Sequence, residues 1–299
     1  MMTIKTPVQS ETPLHQPHDL GPSGRSSKAK GWFKQSWRLL ALPLLLFISI
    51  PLLALFQRTS LADFISTLNQ FQVIQAINLS IVTSLATVIM TLAAGTPVAY
   101  LLAQRRFRFY RFVDTIIDLP TVLPPSVAGV ALLMAFGRMG LFGPLLTVVG
   151  INIPFTVVAV VMAQTFIAAP LYVKAATIGF SSIDSELKQA AALDGANRWQ
   201  IFRYVILPLS WTALLSGIMM TWARALGEFG ATIIFAGNFP GRTQTMPLAI
   251  YIGFEIDLNV ALTLSIIMIC LSFLTLVVVK GILHRQLDAN YGFTTISNA

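Results

Sequence analysis

The sequence predicts an all-α polytopic membrane protein with six transmembrane helices. Three observations carry that prediction. Hydrophobic residues make up 55% of the 299 and charged residues 11%, whereas a soluble domain carries roughly a quarter charged residues. Apolar runs near the length needed to cross a hydrocarbon core, about 20 residues, recur along the chain. The basic residues stand in short blocks beside those runs. That placement fits membrane orientation, so the formal charge of +8 does not imply a nucleic-acid partner.

Residues 1–38 form a polar leader rich in Ser, Pro, Gln and Lys with no apolar core. The composition predicts a mostly disordered cytoplasmic segment. The first apolar run, 39–56, follows it. A cleaved signal peptide is disfavoured: the leader is long, and Gln57-Arg58-Thr59 stands where a small-residue cleavage site would be. The first span and its outer loop occupy 39–74. The remaining runs are 79–103, 115–136, 155–176, 209–235 and 260–282. They lie within one membrane domain, 75–283, followed by a cytoplasmic tail, 284–299. The third run contains Asp118 and three prolines, with Asp114 just ahead of it. The fifth is interrupted by Arg224, Glu228 and two glycines.

Charge sets the direction. The leader, the Arg105-Arg106-Phe107-Arg108 loop as far as Arg111, the 177–208 loop and the tail, counted with Lys174 and Lys280 near the ends of the adjoining runs, hold 16 of the 20 Lys and Arg residues. The opposite compartments hold only Arg58, Arg138 and Arg242. Both termini are therefore expected in the cytoplasm, which agrees with an even number of spans. The loops 137–154 and 236–259 are rich in Gly, Pro, Phe and Leu. They read as short re-entrant or interfacial segments at the outer mouth.

The 177–208 loop has helix signals of its own. Ser181 followed by Asp184 offers a helix start of the capping-box kind. Ala190, Ala191, Ala192 and Leu193 continue that helix, and Gly195 is suited to end it in a left-handed conformation. Asn197 with Gln200 offers a second start, and Trp199, Ile201, Phe202 and Val205 an apolar face. Two short helices hinged at Gly195 are expected. An alanine run alone fits an amphipathic helix lying on the membrane.

Gln189-Ala190-Ala191-Ala192-Leu193-Asp194-Gly195, followed by Val205-Ile206-Leu207-Pro208, resembles the EAA loop of ATP-binding-cassette importer permeases. Gln189 takes the place of the usual leading Glu, which removes one salt bridge. The resemblance covers roughly residues 75–283. Within the family, the sequence is most similar to permeases for tetrahedral oxyanions. The supporting stretches run from Asp118 through Pro120, Pro124 and Pro125 to Ser126, and from Ala223 through Arg224, Glu228 and Thr232 to Pro247. The Glu228-Phe229-Gly230-Ala231-Thr232 and Gly241-Arg242-Thr243-Gln244-Thr245 stretches resemble molybdate or tungstate permeases. Sulfate permeases share much of the pattern.

The resemblance implies the type I ABC importer permease fold in a multi-pass protein of a bacterial or archaeal inner membrane. It implies that Gln189, Ala190, Ala191, Asp194 and Gly195 dock a cytoplasmic ATP-binding subunit present in two copies. A periplasmic or lipoprotein oxyanion-binding protein would deliver the cargo. Six spans are thin walls for a pathway, so a homodimer is expected in the lipid. ATP hydrolysis belongs to the partner, since no Gly-x-x-x-x-Gly-Lys-Ser/Thr loop is present. No cofactor or metal is expected, because His15, His18 and His284 are dispersed.

The candidate translocation residues are Arg224, Glu228, Asp118, Thr121, Ser126 and Thr232. Arg224 and Glu228 are one helical turn apart and suited to pair. Arg224 then either helps an oxyanion past the narrowest point or, with Glu228, pins the fifth span to its neighbours. Asp114 is expected to pair near Arg111 at the interface. Asp118, just before Pro120, is expected to cap a helix break. The hydroxyls of Thr121, Ser126 and Thr232 are expected to make weak oxyanion contacts. Cys270, inside an apolar run, reads as an inert packing residue. The alternatives are a sulfate or thiosulfate permease and, from another class, an ion-coupled secondary transporter using Arg224, Glu228 and Asp118 as a proton relay. No inverted repeat supports the latter.

Overall fold

In a computed structural model of the protein, the backbone is described for residues 26–105 and 108–296, and the side chains for 40–105 and 108–281. The expected disordered leader lies outside the described residues as far as residue 25; from Ser26 the chain is helical. The structure is helical, with no strand among the described residues. It divides into two units, residues 1–54 and 55–299. The first contains most of α1 (Ser26–Arg58), whose apolar stretch Leu40–Arg58 is long enough to cross a membrane.

The second unit begins with α2 (Leu61–Leu68), capped by the Ser60 hydroxyl, which accepts the Asp63 N–H. The long helix α3 (Phe71–Gln104) follows. Next come α4 (Tyr110–Val122), α5 (Pro125–Phe136), the short α6 (Gly143–Val148) and α7 (Val157–Ser181). The connecting loop carries α8 (Ser185–Leu193) and α9 (Arg198–Ile201). A single π turn (Phe202–Ile206) and α10 (Leu207–Leu209) continue α9. The chain closes with α11 (Trp211–Leu226), α12 (Gly230–Phe235), α13 (Met246–Ile256) and α14 (Leu258–Ile296).

Four helical stretches are long and apolar enough to span: Leu40–Arg58, α3, α7 and Leu258–Gly281. Two bent pairs bring the total to as many as six when each is taken as one span. The third and fifth sequence runs are therefore not straight spans. α4 and α5 meet at 117°. Leu123 and Pro124 are extended there (ψ 138° and 132°), and Pro125 opens α5. A residue before proline is pushed out of the helical region, so the tandem prolines make the corner. The Arg198–Leu209 stretch meets α11 at 71°, where Ser210 adopts ψ 0°. The fifth run breaks again after Leu226, and α12 leads on from that break.

α7 is the central post, packing against α3, α11, α12, α4 and α5. Its small residues Ala159, Ala163, Ala168 and Ala176 are fully buried, which lets neighbouring backbones approach. α3 contributes a buried hydroxyl stripe: Ser80, Thr83, Ser84, Thr87 and Thr91. Several of these cross-link helices. The Ser84 hydroxyl accepts the Trp222 indole N–H at 3.0 Å, and the Ser80 hydroxyl accepts the Met246 N–H at 2.7 Å. Thr87 donates to Gln164 Oε1 at 3.1 Å. Cys270 is exposed on α14 instead of packing inside.

Candidate functional site

The 177–208 loop folds into the two-helix elbow that the sequence predicts. Helix α8 ends at Leu193 with Asp194 as its C-cap, and Gly195 sits at φ +87°. The Gly195 N–H donates to the Ala192 carbonyl at 3.1 Å, and the Ala196 N–H to the Ala191 carbonyl at 3.0 Å. This paired closure needs a left-handed residue at Gly195, a conformation costly for any residue with a Cβ. The second helix starts with a complete capping box. Asn197 Oδ1 accepts the Gln200 N–H at 2.9 Å, and Gln200 Oε1 accepts the Asn197 N–H at 2.8 Å.

The first helix start differs from expectation. Ser181 is the last residue of α7, and its hydroxyl donates to the Ile178 carbonyl. Asp184 holds the cap position of α8 but makes no side-chain cap hydrogen bond. α7 simply continues past the end of the apolar run.

One side of the elbow is rooted in the bundle. Ile183 and Ile206 are buried with Phe180, Tyr172 and Leu102. Tyr100, Phe180 and Phe202 pack edge to face, with centroids 5.0 to 6.0 Å apart. The other side is open. Gln189, Ala190, Asp194 and Gly195 are exposed and Ala191 half-buried. Leu193, Trp199 and Tyr204 project as exposed apolar side chains. Trp199 keeps its expected contact with Phe202, ring centroids 5.8 Å apart, while much of its ring stays exposed. A cavity of about 300 Å³ lies in the crook, lined by Asp194, Gly195, Ala196, Gln200, Tyr204 and Val205.

The intramembrane candidates fall into two groups. The first surrounds the break after α11. Arg224 Nη1 donates to Glu228 Oε2 at 2.9 Å, as expected from the spacing. Glu228 Oε1 accepts the Ala231 N–H at 2.8 Å, which satisfies a free donor at the start of α12. Glu228 is 1% exposed and Arg224 37%. A Cβ on Gly230 would lie 2.8 Å from Pro125 Cβ, so the break after α11 abuts the one before α5. Ser126 is exposed there. Thr232 is fully buried, and its hydroxyl has no partner.

The second group sits on α4. Asp118 does not cap a break: it lies within the helix, four residues ahead of its end. Its Oδ2 is 2.8 Å from Lys174 Nζ on α7, and Asp114 Oδ1 is 2.5 Å from the same nitrogen. Asp114 therefore pairs with Lys174, whereas Arg111 Nε donates to the Tyr110 hydroxyl. The Thr121 hydroxyl donates to the Asp118 carbonyl at 2.7 Å. Sequence reasoning missed Lys174 because it counted that residue with the following loop. The available signal was one basic residue inside an apolar run, opposite two carboxylates spaced i, i+4.

Residues 95–290 match the family described as the binding-protein-dependent transport system inner membrane component. A probable transport system permease protein, NifC, of Clostridium pasteurianum is 36% identical over 244 residues, covering 81% of this chain and 85% of that protein. The molybdenum transport system permease protein ModB of Mycobacterium tuberculosis is 37% identical over 230 residues, covering 77% and 87%. A bacterial ABC transporter involved in import of the acidic polysaccharide alginate has a chain of similar fold. Its TM-score is 0.64 at 17% identity, covering 86% of this chain and 98% of that one.

Proposed function

The chain belongs to the family of inner membrane components of binding-protein-dependent transport systems, and on that premise we propose that it is the membrane-spanning subunit of an ATP-driven importer for molybdate or tungstate. The one observation that carries the mechanism is the elbow. Its two helices are fixed at Gly195 and Asn197, rooted by Phe180 and Phe202, and open on the side of Leu193, Trp199 and Tyr204. Such a device transmits a push from a cytoplasmic ATP-binding subunit into α7 and α11, the helices at its two ends.

In this reading two copies of the chain form the conduit, each on its own ATP-binding subunit, with both termini cytoplasmic. Gln189, Ala190, Ala191, Asp194 and Gly195 form the docking surface, and small side chains let the partner backbone come close. Closure of the two ATP-binding subunits drives the elbows together and turns the conduit outward. An external oxyanion-binding protein then releases its cargo into it. ADP and phosphate release lets the elbows part, and the anion leaves inward.

Arg224 serves this reading in a specific way. Its carboxylate partner is buried while its own side chain is 37% exposed. The pair is neutral overall, yet only the cationic end is presented, so a passing dianion meets donors and not the carboxylate. Ser126 adds a hydroxyl near the same break, and Thr232 becomes available once α12 shifts. Asp118 and Thr121 lie on the α4 arm of the same conduit. The molybdenum cargo of the ModB relative favours molybdate over sulfate here. Uptake of labelled molybdate against excess competitor tests the cargo. Tungstate should compete and sulfate at equal excess should not; equal competition by sulfate makes this a sulfate permease instead.

A further inference from the structure

Lys174 is held between two carboxylates on the same face of α4. Asp114 Oδ1 and Asp118 Oδ2 lie 2.5 and 2.8 Å from its Nζ. All three side chains remain partly exposed, at 34%, 38% and 43%. Lys174 lies seven residues before the end of α7 at Ser181, about 10 Å along the helix axis from the elbow. The cluster is therefore inside a span and on the elbow side of it.

A charge facing hydrocarbon costs on the order of 2.5–3.5 kcal/mol at the centre of a span and less toward its ends. Three charges partly open to their surroundings require water there, because pairing leaves their exposed atoms unsatisfied. The opposite surface of α4 carries exposed Phe112, Ile116 and Leu119, which suits lipid or a partner helix. The arm thus has a wet face and a dry face.

The stoichiometry differs from that at Arg224. There one carboxylate meets one guanidinium; here two carboxylates meet one ammonium, so the cluster is negative overall. From these observations we infer that Asp114, Asp118 and Lys174 line a water-filled inner section of the conduit, and that the two carboxylates mask Lys174 so that a tetrahedral oxyanion passes without being held. This rests on the importer reading above for the identity of the cargo. A bare ammonium in a low-dielectric vestibule would retain a dianion. Masked, the same lysine fixes α4 to α7 and favours release.

The test uses the complete transporter, with its ATP-binding subunit and binding protein, in proteoliposomes on a Cys270→Ser background. Asp118→Cys should react with a charged, membrane-impermeant maleimide supplied on the elbow side. Failure to react in every nucleotide state overturns the aqueous lining. Asp114→Asn combined with Asp118→Asn should slow molybdate turnover by about tenfold, equivalent to roughly 1.4 kcal/mol of extra hold on the anion, and lower the half-saturating concentration. Adding Lys174→Gln to that pair should restore most of the turnover. Unchanged turnover in the double variant, or no recovery in the triple, overturns the masking. If the double variant does not assemble, the labelling decides the lining. Absence of oxyanion uptake by the wild-type complex counts against the importer reading, while maleimide reactivity still reports whether the cluster faces water.

Discussion

Arg224 and Glu228 form an ion pair at 2.9 Å in which the Glu228 side chain is buried and the Arg224 side chain partly exposed. The two partners are therefore not equivalent. Arg224→Ala leaves a buried carboxylate without its counter-charge, a loss of about 3–5 kcal/mol for buried pairs. Glu228→Gln keeps an acceptor for the Ala231 N–H and leaves an arginine that water can reach. The expected outcome in detergent is a much larger drop in melting temperature for Arg224→Ala than for Glu228→Gln. Equal drops would mean that the guanidinium does not stabilise the break.

Gly195→Pro should abolish uptake while the protein still inserts. Proline fixes φ near −65° and lacks the N–H, whereas the elbow needs φ +87° and the bond to the Ala192 carbonyl. Co-purification with the ATP-binding subunit is the readout. Retained co-purification with normal uptake would remove the elbow from the mechanism.

Asn197→Ala acts on the same elbow with less force. Loss of a helix cap costs about 1 kcal/mol, and Ile201 and Phe202 still root the second helix in the core. Affinity for the ATP-binding subunit should fall by about fivefold to tenfold, with uptake reduced but measurable. A loss as complete as that of Gly195→Pro would contradict this ranking.

Gly230→Val should disrupt the meeting of α5 and α12. A Cβ there falls 2.8 Å from Pro125 Cβ and 3.3 Å from the Ser126 nitrogen, so backbone has to move. Trypsin sensitivity of the membrane-inserted protein should rise and uptake should vanish. Wild-type uptake would show that the two breaks are not mechanically joined.

The sequence reading succeeded where local chemistry decides structure. Asn197 and Gln200 form their capping box, Gly195 takes its left-handed turn, and Arg224 reaches Glu228, all within four residues of one another. It failed where a partner lies far along the chain. Asp114 and Asp118 take Lys174, about sixty residues away; their i, i+4 spacing and a lysine in an apolar run mark the groups as needing partners but do not pair them with each other. The corner at Leu123–Pro124 was misplaced toward Asp118 because a single Pro120 is tolerated within α4, whereas the Pro124-Pro125 tandem is not. The buried stripe from Ser80 to Thr91 was hidden inside a run read as merely apolar. Its spacing of three and four residues was the signal.

Reconstituted transport tests the central claim most directly. Proteoliposomes containing this chain, its ATP-binding subunit and the external binding protein are loaded with labelled molybdate on the outer side. Uphill accumulation should require ATP on the elbow side and should stop when either partner is omitted. Accumulation by this chain alone, driven by an imposed proton gradient, would contradict the account.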